Sequence, residues 1–259
     1  MATFPPCHRG ICRDNLNMRE ILQDKKARTA EVVTRLKTAY PNAHCELNFS
    51  NPLELLIATI LSAQCTDKQV NIVTEDLFKK YRSAKSFAEA PLEQLEIDVK
   101  RIGLYRNKAR NIQACCRLLL EKHGGEVPQT LEQLTELAGV GRKTANVVLG
   151  NAFGMNVGVV VDTHVARLSE RLKFSHANSP EKIEADLQKL VLQNDWALFS
   201  HLLIWHGRRR CYARNPDCVN CETKDLCPTG KLRLSATISK AAIHIGNKTR
   251  ILKGTKANV

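Results

Sequence analysis

Nothing in the 259 residues approaches the ~20-residue apolar run that a membrane-spanning helix needs; the longest apolar stretch, Leu53 to Leu61, is broken by Glu54 and Thr59. The N-terminus carries Pro5, Pro6, His8, Arg9 and Asp14 and lacks the apolar centre of a secretory signal. No alternating pattern of strand length occurs anywhere, so the fold class is all-α. Acidic residues are absent after Cys227, where seven Lys and Arg stand, and residues 228–259 read as a basic, partly disordered tail. These absences lead to the expectation of a soluble, intracellular and helical protein. What is abundant then acquires meaning. Ten cysteines in an intracellular, reducing setting point to metal ligation before disulfides. A net charge of +13 suits a polyanionic partner.

Residues 1–17 show no apolar period and read as a disordered extension, with Met18 an alternative start. Ile21, Leu22, Val32, Val33 and Leu36 support a helix from Arg19 to Tyr40 that Pro41 stops. Asn51-Pro52-Leu53-Glu54 supplies an N-cap, a proline at the first helical position and an acid at the third, opening a central helix to about Gln64. Thr66 with Gln69 caps the next, to about Tyr81. Short helices are expected at 86–90 and 91–99, a turn at Gly103, and a long helix from Tyr105 to His123 ended by Gly124-Gly125. After the extended apolar run Val157 to Val161, Asp162 starts a helix, Ser179-Pro180 opens another to about Leu192, and a last one runs from Trp196 to Trp205.

The stretch Leu137 to Ala145 organises the chain. Leu131, Leu134 and Leu137 form the stripe of a short helix, and Ala145, Val148 and Leu149 begin another. Between them Gly139-Val140-Gly141 permits a tight turn and leaves no side chain between a ligand and the amides of the next helix, an arrangement suited to anions. A weak internal repeat pairs it with Gly103-Leu104-x-Arg106-x-x-Ala109-x-x-Ile112, which matches Gly139-Val140-x-Arg142-x-x-Ala145-x-x-Val148 position by position. Four further residues, Cys211, Cys218, Cys221 and Cys227, sit within 17 positions and read as ligands of one metal centre. Four thiolates also make a structural zinc set, although zinc ribbons usually show two short cysteine pairs.

Gly-Val-Gly-Arg-Lys-Thr-Ala-Asn-Val-Val-Leu at 139–149 resembles the helix-hairpin-helix of DNA repair glycosylases, the endonuclease III branch in particular, and the cysteine spacing is similar to that family's 4Fe-4S loop. Val-Asp-Thr-His-Val-Ala-Arg at 161–167 and Leu-Ser-Ala-Gln-Cys-Thr-Asp at 61–67 also resemble family segments. The resemblance covers about residues 20–227. It implies a two-domain helix-hairpin-helix glycosylase fold with a C-terminal 4Fe-4S cluster loop. Residues 18–44 with 156–230 would form the cluster domain, 45–155 the hairpin domain and 231–259 the basic tail, with the DNA cleft between the domains. It also implies that the hairpin amides of Gly139, Val140 and Gly141, with Arg142, hold a DNA phosphate together with a monovalent cation.

In the same way the resemblance makes Lys143 the nucleophile. An attacking amine must be neutral, and an ordinary lysine requires ~4 kcal/mol to lose its proton near pH 7.5, so a helix N-terminus and an apolar cleft are useful surroundings. Asp162 is a natural N-cap, and the resemblance adds a catalytic carboxylate that accepts a proton or faces positive charge on the sugar. His164 becomes a phosphate or lysine-site contact, where an ordinary helix-surface histidine is the other reading. Gln64 would fill the gap left by a flipped nucleotide and Leu104 would act as a wedge, against the plainer readings of a helix-ending polar residue and a core leucine. Arg208, Arg209, Arg210 and Arg214 would give the cluster loop phosphate contacts.

The expected activity is removal of damaged, oxidised pyrimidines followed by strand cleavage through β-elimination. The expected partner is double-stranded DNA with damaged bases or abasic sites, bound by a cytoplasmic, nucleoid-associated monomer. An adenine-mismatch glycosylase is the alternative within the superfamily, but it typically lacks the lysine and has a large extra C-terminal domain. A non-catalytic DNA-binding or iron-sulfur module is the alternative outside it. Ala138, where the family usually has proline, and a slightly long segment from Phe153 to Asp162 are departures.

Overall fold

The computed structural model describes residues 20–236, so the expectations for residues 1–17 and for the tail beyond 236 lie outside the described residues. Among the described residues there is no strand, and no helix is long and apolar enough to cross a membrane. The helices are α1 (Leu22–Ala39), α2 (Pro52–Ser62), α3 (Asp67–Lys80), α4 (Ala84–Glu89), α5 (Leu92–Asp98), α6 (Tyr105–His123), α7 (Leu131–Thr135), α8 (Arg142–Ala152), α9 (Thr163–Arg171), α10 (Pro180–Gln188) and α11 (Trp196–Arg209).

Local chemistry sets most of the starts. Asn51, Thr66, Thr130, Asp162 and Ser179 accept the capping amide of α2, α3, α7, α9 and α10, so each first turn has one orphan donor satisfied. Ser83 and Ser86 form a reciprocal box at α4. Three boundaries depart from expectation. α10 ends at Gln188 rather than near Leu192, and a 3-10 turn, Gln193–Asp195, leads into α11. α11 continues past Trp205 to Arg209. Residues 228–236 are helical (α12), with the Lys231 amide bonded to the Cys227 carbonyl at 3.0 Å, so the chain after the last cysteine begins as structure and not as a tail.

Apolar burial divides into two cores. One, from Leu47 to Leu149, joins α2 to α8, and α2 is its axis: Leu55, Leu56, Ile57, Ala58 and Leu61 are fully buried. The other joins Val32, Val33 and Leu36 of α1 to Val159, Val161 and the inward faces of α9, α10 and α11. α8 and α11 bring the two together, and a Cβ on Gly150 of α8 would stand 3.1 Å from that of Ala197. A second tie is polar. Glu184 of α10, 5 % exposed, accepts from Arg142 Nε at 2.9 Å and from Asn146 Nδ2 at 3.1 Å, both on α8. Gly158 lies under this network, where a Cβ would come within 2.2 Å of Glu184 Oε1.

Candidate active site and cysteine centre

Gly139 and Gly141 serve the turn between α7 and α8 differently. Gly139 has φ +76° and its Cβ would lie 2.9 Å from that of Asn111 on α6, so conformation and space both require glycine. Gly141 has φ −92° and ψ 174°, which any residue adopts, and a Cβ there would meet nothing within 4 Å. Its missing side chain therefore leaves open space over the start of α8. Gly141 gives α8 no side-chain cap, so the first-turn amides from Arg142 onward have no partner in the helix. Val140 differs from expectation: its side chain is 5 % exposed and its amide donates to the Leu137 carbonyl at 3.1 Å, so it is not available to an anion. Among the described residues the amides of Gly139 and Gly141 make no such bond.

Lys143 lies in this first turn, is exposed, and makes no hydrogen bond or ion pair among the described residues. Asp162 begins α9, its Oδ1 accepting from the Val165 amide at 2.8 Å. The two side chains line one pocket, together with His44, Cys45, Thr59, Ser62, Val147, Ile204 and Trp205. Lys143 enters from the α2–α8 core and Asp162 from the α9–α11 core, so the pocket lies where the two meet. They form no ion pair with each other, which leaves the amine and the second carboxylate oxygen free to face a third group.

The far wall is charged and internally braced. Arg208 donates to Glu46, and at 2.8 Å to Asp67; Arg209 reaches Glu46 at 3.3 Å and stacks 3.8 Å above the Trp205 ring. Arg210 is held by Asp217 at 2.6 Å and by Glu222. Three of the four arginines read as a phosphate-facing set are thus committed to carboxylates, two of them on α11 and not in the cysteine loop. Arg142 is likewise held, by Glu184. His164 packs against Gly207 of α11, and burial holds its pKa below the usual range; Arg167 Nη2 lies 3.1 Å from its Nδ1. His201, on the pocket wall, is pushed down to about 4 by burial, with Asn151 Oδ1 2.7 Å from its Nε2.

Gln64 and Leu104 share a property that the sequence does not display. Both have left-handed backbones, φ +55° and +59°, and both are exposed, Leu104 by 58 %. A leucine that is solvent-facing and conformationally strained is not a core leucine.

Cys211, Cys218, Cys221 and Cys227 line a single small cavity with Leu168, Leu172 and Gly230. Their sulfurs are hydrogen-bonded from several sides: Arg171 Nη1 donates to Cys211 Sγ at 3.1 Å, the Gly230 amide to Cys227 Sγ at 3.3 Å, and Thr223 Oγ1 lies 3.4 Å from Cys221 Sγ. Such contacts suit thiolate ligands. The donor atoms that converge within 4.8 Å of one another belong to His206, Cys221 and Glu222.

The comparisons agree in direction. Residues 57–193 match the HhH-GPD superfamily of base excision DNA repair proteins. The chain is 50 % identical to endonuclease III of Synechocystis sp. over 210 residues, covering 81 % of this chain and 96 % of that protein. It is 46 % identical to endonuclease III of Escherichia coli strain K12, covering 78 % and 95 %. A solved structure of a trapped covalent intermediate of endonuclease III with DNA superposes with a TM-score of 0.77 at 47 % identity, covering 81 % of this chain and 98 % of that one. With its hairpin and its cysteine loop placed as described, the chain belongs to the endonuclease III family of the HhH-GPD superfamily of base excision DNA repair proteins.

Proposed function

We propose a route by which this chain acts as a DNA glycosylase and abasic-site lyase, the activity of its family, on oxidised pyrimidines. The observation that carries it is the meeting of Lys143 and Asp162 in one pocket from opposite cores, each at a helix N-terminus. Lys143 Nζ, once neutral, attacks the sugar C1′; the glycosidic bond breaks and its electron pair leaves with the base, which takes up a proton. Asp162 keeps one oxygen on the Val165 amide and offers the other to the proton lost by Lys143 or to positive charge on the sugar. The sugar ring then opens: the C1′–O4′ bond breaks, O4′ takes up a proton and C1′ forms an imine with Lys143; the imine acidifies the C2′ proton, its removal expels the 3′ phosphate by β-elimination, and water releases the lysine.

Residues 18–44 with 156–230, and residues 45–155, are assigned as the two domains, with DNA in the cleft between them. Gly139, Gly141 and the first turn of α8, with Arg142, face a backbone phosphate with a monovalent cation as the counter-ion, and His164 contacts a phosphate or the lysine site. The occupant is damaged duplex DNA, the chain acts as a monomer, and its place is the cytoplasm, at the nucleoid. Cys211, Cys218, Cys221 and Cys227 would hold a 4Fe-4S cluster, which would supply a rigid centre for the loop and not a step of the reaction; the four cysteines lining one small cavity, with hydrogen bonds reaching their sulfurs, support this.

Asp162→Asn tests the two-residue route. Asn caps a helix about as well as Asp, so stability should change by less than about 1 kcal/mol while single-turnover base excision falls at least a hundredfold. Excision at the full rate would leave Asp162 only a cap. Purified protein should contain iron and sulfide at about four each per chain; stoichiometric zinc in colourless protein would remove the cluster assignment.

A further inference from the structure

Where α2 ends against the start of α6, the fold buries an ammonium group without a carboxylate. Lys108 is 4 % exposed, and its Nζ donates to the Leu61 carbonyl at 2.9 Å and to the Ala63 carbonyl at 2.6 Å. No acidic residue pairs with it among the described residues, and burial pushes its pKa down. The carbonyls it serves are the exposed end of the α2 dipole. α2 has no basic residue in its last turn, and its C-cap, Ala63, closes no backbone bond. Orphan carbonyls at a buried helix end need donors, and a cation is the best complement to that end. Lys108 therefore caps the C-terminus of α2 with a side chain supplied from another helix.

Immediately past this cap lies Gln64, with φ +55°, and the amide of Lys108 itself bonds the carbonyl of Leu104, φ +59°, at 3.1 Å. The two turns touch: a Cβ on Gly103 would stand 4.0 Å from the Gln64 carbonyl oxygen. A left-handed backbone is strained for a non-glycine residue, so two neighbouring ones persist only where the surroundings hold them. The Lys108 side chain braces the Gln64 turn and, through the contact between the two turns, bears on Leu104; its amide bond to Leu104 is the ordinary helix bond that opens α6.

We propose that Lys108 is a positioning residue that fixes Gln64 and Leu104 as a preset pair, ready to enter the base stack when a nucleotide leaves it. This rests on the stack-filling roles that the family resemblance implies for Gln64 and Leu104. Flipping costs a few kcal/mol of stacking, and a filler already in place restores part of that without ordering two side chains during the event.

Lys108→Met keeps the aliphatic stem and removes the donors. Single-turnover excision from a duplex carrying an oxidised pyrimidine should fall at least tenfold. Borohydride trapping on a single-stranded abasic oligonucleotide, which needs Lys143 but no stack filling, should stay within about twofold. In a Gln64→Ala, Leu104→Ala background the same substitution should cost little more, because its targets are gone. Lys108→Arg, which can still donate to both carbonyls, should recover most of the duplex rate. If Lys108→Met does not accumulate, Lys108→Leu, which likewise carries no donor, takes its place. Val33→Ala, in the other core, serves as a control matched for lost stability and should not separate the two substrates. Additive losses in the double background, or equal losses on both substrates, would overturn the role of Lys108. Full duplex excision by Gln64→Ala, Leu104→Ala alone would overturn the stack-filling reading on which it rests.

Discussion

Two turns of this molecule are spelled alike and built differently. Gly103-Leu104-x-Arg106 and Gly139-Val140-x-Arg142 match position by position in residue type and each opens a helix, yet the left-handed residue is Leu104 in the first and Gly139 in the second. In the first turn Leu104 is the N-cap, exposed and strained; in the second Val140 is buried in the core and Gly141 is the N-cap. The first turn therefore presents a side chain and the second presents backbone amides. The roles proposed for these turns, filling a gap in the base stack and holding a phosphate, call for one surface of each kind. The shared letters record a shared helix-turn-helix packing and not a shared surface.

Substitutions at three positions separate the two designs. Gly139→Ala should have the largest effect, a loss of about 3 kcal/mol of unfolding stability, since it combines a left-handed alanine with a collision against Asn111; urea unfolding reads it, and a loss under 1 kcal/mol would mean that the hairpin can relax away from α6. Gly141→Ala should leave stability within about 0.5 kcal/mol but weaken binding to an abasic-site duplex about tenfold, or ~1.4 kcal/mol, because its Cβ enters the open space over the first turn of α8. Unchanged affinity would place the phosphate elsewhere. Leu104→Gly should raise stability by about 1 kcal/mol as strain is relieved, while duplex excision slows. A loss of stability there would show that Leu104 packs more than it presents.

The legibility of the chain follows the range of the interactions involved. Asn51-Pro52, Thr66, Asp162 and Ser179-Pro180 fix helix starts through contacts within three residues, and the structure begins its helices where these residues stand. Tyr105 to His123 is visible at both ends because Gly124 and Gly125 supply the left-handed stop. What the sequence conceals depends on partners far along the chain. Lys108 reads as one more lysine on a basic helix until α2 arrives beside it, 45 residues away. Arg208 and Arg209 read as loop cations because nothing local announces that α11 continues to meet Glu46 and Asp67. The left-handed backbones of Gln64 and Leu104 are concealed for the same reason: tertiary packing imposes them on residue types that do not favour them.

The central claim is that the second turn delivers an amine to the sugar: the first-turn amides seat the phosphate and Lys143 reaches C1′ in the pocket shared with Asp162. Borohydride reduction during reaction with an abasic-site duplex, followed by proteolysis and mass mapping of the attached peptide, tests it most directly. The account predicts a single covalent adduct on Lys143, abolished by Lys143→Gln in protein that still binds the duplex. An adduct mapped to another amine, or undiminished trapping by Lys143→Gln, would contradict it.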